Sequence, residues 1–170
     1  YTFKNYKIFQ ETTYSFESNR IGNIVESKYG DIWCTTYDGQ ACLFDVKTEK
    51  FIDVLQPLTR SLNHSNHVIR ILSLKKGIAW ILCKDGYTYR ADEQQCKDGK
   101  GISPYSIFNG NLKGNQVYTV FQDSEEDEWV LTDKGITIVG KKTLDTDFPF
   151  RHIIQWKENI YLAAEHGLSL

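Results

Sequence analysis

Few side chains in this sequence stand at spacings that perform chemistry. The densest cluster is acidic: Asp123, then Glu125-Glu126-Asp127-Glu128. Such carboxylates can surround a divalent cation, but they lack the D-x-D-x-D-G order that sends alternate side chains into a calcium loop. A solvated turn is the expected role. His64 and His67 lie within Asn63-His64-Ser65-Asn66-His67, and His152 and His166 stand apart. No HExxH accompanies them, so a polar connection is expected rather than a metal or ligand site. Arg70, Lys84, Tyr89 and Arg90 are of the types that line a pocket for a charged or hydroxylated ligand. Nothing in their order brings them together.

Cys34, Cys42, Cys83 and Cys96 form no CxxC and have no His at zinc-finger spacing. Cys34 and Cys42 flank a tight turn, which permits a cross-strand contact, and Cys83 can also approach Cys96. Buried free thiols acting as small hydrophobes are expected. Disulfides are the alternative and would imply an oxidising compartment. There is no GxSxG, P-loop or dinucleotide fingerprint. Glycosidase carboxylates pair in space and leave no spacing to read. No catalytic, cofactor-binding or metal residue is therefore assigned, no cofactor is expected, and the ligand-binding residues stay unassigned.

Composition narrows the class. The 170 residues are 41% hydrophobic and 25% charged, as in globular domains. The aromatic share of 14% leans toward half-buried pleated surfaces. A net charge of −2 with scattered Lys and Arg argues against a nucleic-acid partner. The longest apolar run, Ile78 to Cys83, is far too short to span a bilayer. The chain starts at Tyr1 and contains no Met, so an internal piece of a larger protein is expected.

The elements that position these side chains are announced by a repeat. An aromatic residue is followed six positions later by Gly four times: Trp33/Gly39, Trp80/Gly86, Trp129/Gly135 and Tyr161/Gly167. Ile24, Ile71 and Val120 stand nine residues before each Trp, and Ile21, Val68 and Val117 twelve before. In the fourth copy the pair is Phe150 and Ile153, displaced by one. A one-residue deletion near Lys157-Glu158-Asn159 explains the displacement. Because the aromatic recurs at one place in every unit, packing is its expected role, not the stacking of sugar rings.

Each unit reads as short strands between turn-forming residues. The first is Ile21–Glu26, Asp31–Thr36, Gln40–Asp45 and Lys50–Leu55. The second is His67–Leu74, Ile78–Cys83, Gly86–Ala91 and Pro104–Phe108, with a polar loop from Asp92 to Ser103. The third is Gln116–Gln122, Asp127–Thr132 and Gly135–Gly140, with no clear outer strand. The fourth is Arg151–Gln155, Asn159–Ala164 and a start at Gly167. The anchors are 47, 49 and 32 residues apart, so the third unit must be trimmed. These are four-stranded antiparallel β-propeller blades in an all-β chain, part of one propeller domain of about three and a half blades. The boundaries are 1–14 for the end of a preceding blade, 15–58 and 65–110 for two blades, 111–148 for a trimmed blade and 149–170 for an incomplete one. A lone blade cannot bury both faces, so exposed faces are expected at both ends.

The first unit, IGNIVESKYGDIWCTTYDGQACLFD at 21 to 45, resembles the two-component-regulator propeller repeat. That repeat combines an I-x-x-I strand, an acidic Gly turn, a hydrophobic-Trp strand and a Gly turn leading to Phe-Asp. VIRILSLKKGIAWILCKDGYTYRAD and VYTVFQDSEEDEWVLTDKGITIVG resemble it more loosely. The third copy has acidic residues for the turn Gly and ends in Val139-Gly140; the fourth has Tyr161 for Trp. The resemblance implies the periplasmic sensor region of a Bacteroidetes-type hybrid two-component system, itself a sensor histidine kinase anchored in the inner membrane. It implies an extracytoplasmic, non-catalytic segment. The implied partners are the remaining blades, an oligosaccharide ligand and a second copy in a homodimer. The alternatives are a propeller enzyme acting on glycans or using a quinone cofactor, and a protein-interaction scaffold. A WD40-like scaffold fits poorly, because each Trp precedes Cys34, Ile81 or Val130 and never Asp.

Overall fold

In a computed structural model, residues 2–6, 19–55, 67–84, 86–98, 100, 102–104, 116–165 and 167–169 are described. They form four antiparallel sheets. The first joins β1 (Ile21–Glu26), β2 (Ile32–Thr36), β3 (Ala41–Asp45) and β4 (Lys50–Asp53). The second joins β5 (Val68–Leu74), β6 (Ile78–Cys83), β7 (Thr88–Asp92) and β8 (Ile102–Pro104). The third joins β9 (Val117–Gln122), β10 (Glu128–Thr132), β11 (Gly135–Ile138) and β12 (Lys142–Asp145). The fourth joins β13 (Phe150–Trp156), β14 (Asn159–Ala164) and β15 (Gly167–Ser169). Strands follow chain order within every sheet, so these are up-and-down propeller blades.

The register explains the sequence spacing. Ile24 faces Cys34, Ile71 faces Ile81, Val120 faces Val130 and Ile153 faces Leu162. In the second blade the first hairpin closes from Leu74 to Ile78 over three residues. In the fourth it closes from Trp156 to Asn159 over two, with Lys157 at φ 57°. The missing residue therefore falls in the turn, where its loss leaves the pairing intact. Each first strand also carries a bulge at the same place, leaving Gly22, Ile69, Tyr118 and Arg151 without a ladder partner.

The third blade has the outer strand that its sequence did not declare. β12 pairs with β11 from Gly135↔Asp145 to Ile138↔Lys142. Its short interval comes from tight connections, residues 139–141 and 146–149, and not from a lost strand. The loop from Asp92 to Ser103 is also more than a polar connection. It holds one helical turn, α1 (Glu93–Cys96), capped by Asp92, which accepts from the amides of Gln94 and Gln95. Both Glu93 and Cys96 are buried. The outer strand begins earlier than expected, at Ile102; residues 105–108 lie outside the described set, as do residues 7–14.

The core consists of layers between blades. Trp33, Leu43, Ile71, Ile81, Tyr89 and Ala91 lie in the layer between the first two. Trp80, Leu82, Val117, Val120 and Val130 fill the next. Leu131, Ile136, Phe150 and Ile153 fill the third, with Trp129 half-buried against them. Period-two alternation sends one face of each middle strand forward and the other back, which is why nearly all of β2, β6 and β10 is buried.

Candidate functional site

Two ends of the blade stack carry different chemistry. At the hairpin end that holds Gly39, one backbone bond recurs. Tyr37 N donates to Arg20 O at 2.9 Å, Lys84 N to His67 O at 2.8 Å and Asp133 N to Gln116 O at 3.1 Å. Each second hairpin is thereby tied to the residue that enters its own first strand. Gly39 sits at φ 87°, and a Cβ there would meet the His67 ring at 2.5 Å. Its carbonyl accepts from Val68 N at 2.7 Å, joining the first two blades. On this rim the Arg20 guanidinium lies 4.6 Å over the Tyr37 ring. Arg151, at a bulge, lies 4.6 Å over Tyr118, the bulged residue of the preceding blade, and pairs with Glu165 at 2.8 Å. Phenol faces, guanidinium edges and an imidazole on a rigid support suit non-covalent recognition of hydroxylated or anionic groups.

At the opposite end, buried carboxylates join the blades. Glu93 is 1% exposed. Its carboxylate accepts from Trp33 Nε1 at 2.9 Å, Ser73 Oγ at 2.6 Å and Lys28 N at 3.0 Å. Glu128, also buried, accepts from Trp80 Nε1 at 2.9 Å and from Arg90, whose Nη2 reaches Oε1 at 2.7 Å and Nε reaches Oε2 at 3.2 Å. In both cases an indole of one blade donates to a carboxylate of the next. Asp123 instead serves its own blade, accepting from Trp129 Nε1 at 2.7 Å and from the amides of Glu125 and Asp127.

The acidic run is thus only partly the solvated turn expected of it. Glu125 and Glu126 are exposed, but Asp123 and Glu128 are buried because a Trp N–H in a dry layer requires an acceptor. Glu126 pairs with Lys76 at 3.3 Å, and Asp127 pairs with Lys141. No cluster of three potential metal ligands occurs among the described residues. Lys97, beyond α1, reaches back to Asp31 at 2.6 Å and Asp45 at 3.5 Å. The hydrogen bond to Asp31 raises its pKa above the ordinary lysine value. An open cleft of about 370 Å³ lies at this end between the first two blades, lined by Glu26, Ser27, Lys28, Ser73, Leu74 and Lys75.

The residues considered for a pocket do not converge. Tyr89 and Arg90 are neighbours on β7, so they face opposite sides. Tyr89 is core beneath the first blade, and Arg90 is held by Glu128. Arg70 and Lys84 are exposed. His67 packs on Gly39, His152 is exposed, and His64 and His166 lie outside the described residues. All four cysteines are buried free thiols. Glu93 and Arg20 were invisible to sequence reasoning. The indole and its carboxylate are 60 residues apart in one junction and 48 in the next, so no spacing flags them.

Open blade faces occur at both ends of the stack. Ile24 is 64% exposed on the first blade, and Ile154 and Trp156 are 59% and 58% exposed on the fourth. Part of the first face is shielded: Tyr6 stacks on Phe44 with centroids 4.8 Å apart, and its hydroxyl donates to Glu49.

The fold places the chain among β-propellers, and solved structures agree. It is similar to the extracellular domain of the putative hybrid two-component system BT3049 from B. thetaiotaomicron, with a TM-score of 0.65 and 19% identity over 97% of this chain and 22% of that one. The corresponding domain of BT4673 from the same organism matches with a TM-score of 0.58 and 21% identity, over 91% of this chain and 23% of that one. YCF48 bound to D1 peptide matches at 0.54 with 11% identity, over 86% of this chain and 48% of that one. The chain therefore spans under a quarter of the length of the two-component neighbours. No family model matches it, and no curated protein does. No helix among the described residues is long and apolar enough to cross a membrane.

Proposed function

We propose that this chain is part of the extracytoplasmic propeller of a hybrid two-component sensor, and that it recognises a ligand without transforming it. The observation that carries this reading is the likeness to extracellular domains of such systems over nearly the whole chain. The hairpin-end rim, with its two Arg–Tyr stacks, supports recognition. In this reading the remaining blades cover the exposed faces of the first and fourth blades. The longer protein carries a membrane helix and a histidine kinase and works as a homodimer. Its ligand is an oligosaccharide, and the signal arises from unequal affinity for two arrangements of that dimer.

The test is calorimetric titration of the longer protein's extracytoplasmic region against a panel of oligosaccharides. Binding of one glycan class, weakened at least about tenfold by Arg151→Ala or Tyr37→Ala, is expected; loss of one such contact corresponds to about 1.4 kcal/mol. Absence of binding across the panel would remove the glycan ligand. A parent reading frame with no downstream kinase would remove the sensor reading altogether.

A further inference from the structure

We propose that Cys34 and Cys42 are a reactive dithiol that closes into a cross-strand disulfide on meeting a thiol–disulfide oxidant. The two are direct partners between β2 and β3. Counting from the hairpin shows what kind of partners. Thr36 N donates to Gln40 O at 3.0 Å, so 36 and 40 form a hydrogen-bonded pair. Two residues further along, Cys34 and Cys42 are again a hydrogen-bonded pair, with Cα atoms about 5.5 Å apart. That separation lies inside the range of roughly 4.4–6.8 Å found in disulfides. The Cys42 thiol already leans across the ladder, donating to Cys34 O at 3.7 Å.

Position and reactivity single out this pair. Cys34 and Cys42 share a face with Ile24, which is 64% exposed, and that face points away from the Trp33 layer. Both thiols are nonetheless closed off from solvent beneath Ile32 and Phe51, so a reagent reaches them only when that cover lifts, without parting the first two blades. Hydrogen bonding from Cys42 draws the Cys34 thiol below its ordinary pKa against the opposing effect of burial, while Cys42 is raised well above it. Cys34 is therefore the attacking sulfur. Cys83 and Cys96 lie inside the layer between the first two blades. Burial, with the charges of Asp92 and Glu93, pushes the Cys96 thiol up to about 12.

The chemistry balances. The Cys34 thiolate attacks the oxidant's disulfide and expels one thiol. Cys42 then gives up its proton, attacks Cys34 Sγ in the mixed disulfide and expels the second thiol. Two thiols lose two electrons and two protons, and the oxidant's disulfide takes both. Closing the bond must draw the two Cβ atoms to about 3.8 Å, nearer than a hydrogen-bonded strand pair holds them. The resulting strain makes the bond easy to reduce, so closure is reversible.

The experiment incubates the folded chain with oxidised glutathione, quenches with acid, then denatures, alkylates and maps the peptides. A Cys34–Cys42 cross-link with Cys83 and Cys96 alkylated is expected, and reduced glutathione should reopen it. In Cys42→Ser, Cys34 should instead retain glutathione. Four alkylated thiols in the wild-type chain would overturn the proposal. So would glutathione held on wild-type Cys34 beside a free Cys42, or cross-links spread evenly over all four cysteines. The glycan panel does not bear on these outcomes.

Discussion

The junction between the first two blades and the junction between the last two solve one packing problem differently. In the first, the Trp33 indole crosses to Glu93 of the next blade, and Lys97 returns the contact to Asp31 and Asp45. Both groups belong to the inserted segment around α1, which the 49-residue interval can hold. In the last, Trp129 turns back to Asp123 of its own blade. The crossing bonds come instead from Gln155, which donates to Ser124 Oγ and accepts from Ser124 N, both at 2.7 Å. The third interval has no room for an insertion, so beside its apolar layer and the Arg151–Tyr118 stack the hydrogen bonds across this junction are neutral and exposed. Charge-assisted contacts in a dry layer resist loss more than exposed neutral ones. The early junctions should be the stiff part of the stack and the last one the yielding part.

Substitutions break or sharpen this contrast. The largest effect is expected from Trp80→Ala, which opens a cavity in the second layer and takes one donor from Glu128; a loss of about 3–5 kcal/mol is expected in urea unfolding. Glu128→Ala leaves Trp80 Nε1 and Arg90 without their acceptor. Arg90 is partly solvated, so the cost should be smaller, about 2–3 kcal/mol, and Arg90→Met should recover part of it in the same assay. Glu93→Gln keeps the shape but turns an amide N–H₂ toward donors, for about 1–3 kcal/mol in thermal unfolding. Gln155→Ala should cost only about 0.5–1.5 kcal/mol. Its signature is local: faster amide exchange at Ser124 with little change in the first blade. A Gln155→Ala penalty equal to that of Glu93→Gln would erase the distinction between junctions.

The smallest effect is a pH dependence. Burial raises the Asp45 carboxyl, but hydrogen bonds from Thr48 and Lys47 and the Lys97 charge outweigh it, so its folded pKa lies below 3.8. The stability it contributes is present above that unfolded value and lost as pH falls through the lower folded one. Lys97→Met should make this acid limb of the unfolding midpoint only slightly shallower, because the Thr48 and Lys47 hydrogen bonds remain, and leave the neutral plateau nearly parallel to wild type.

Much of the fold was legible because blades repeat. Ile24, Ile71 and Val120 could be placed from spacing alone, since strand pairing converts constant spacing into constant register. Even the one-residue gap before Tyr161 was assignable to its turn, where pairing tolerates deletion. The strand β12 was not legible. KTLD is short and fully exposed, so it carries no alternating apolar signal. The acidic run was misread in part for a related reason: Glu125 and Glu128 look alike in sequence and differ only in what stands opposite. Arg70, Lys84, Tyr89 and Arg90 were grouped by type, yet alternation along β7 alone separates two of them.

The sequence by itself determined the inner three strands of each blade, the packing role of the repeated aromatic and, at Gly39 and Gly86, where a turn needs Gly. These follow from period-two patterning and local backbone geometry, which act over a few residues. Only the tertiary structure decided that Glu93 and Glu128 accept from the Trp33 and Trp80 indoles, that Arg151 covers Tyr118 and that Cys34 and Cys42 are buried together outside the layers between blades. Each depends on desolvation, and a group loses its water only when a neighbour from elsewhere in the chain arrives.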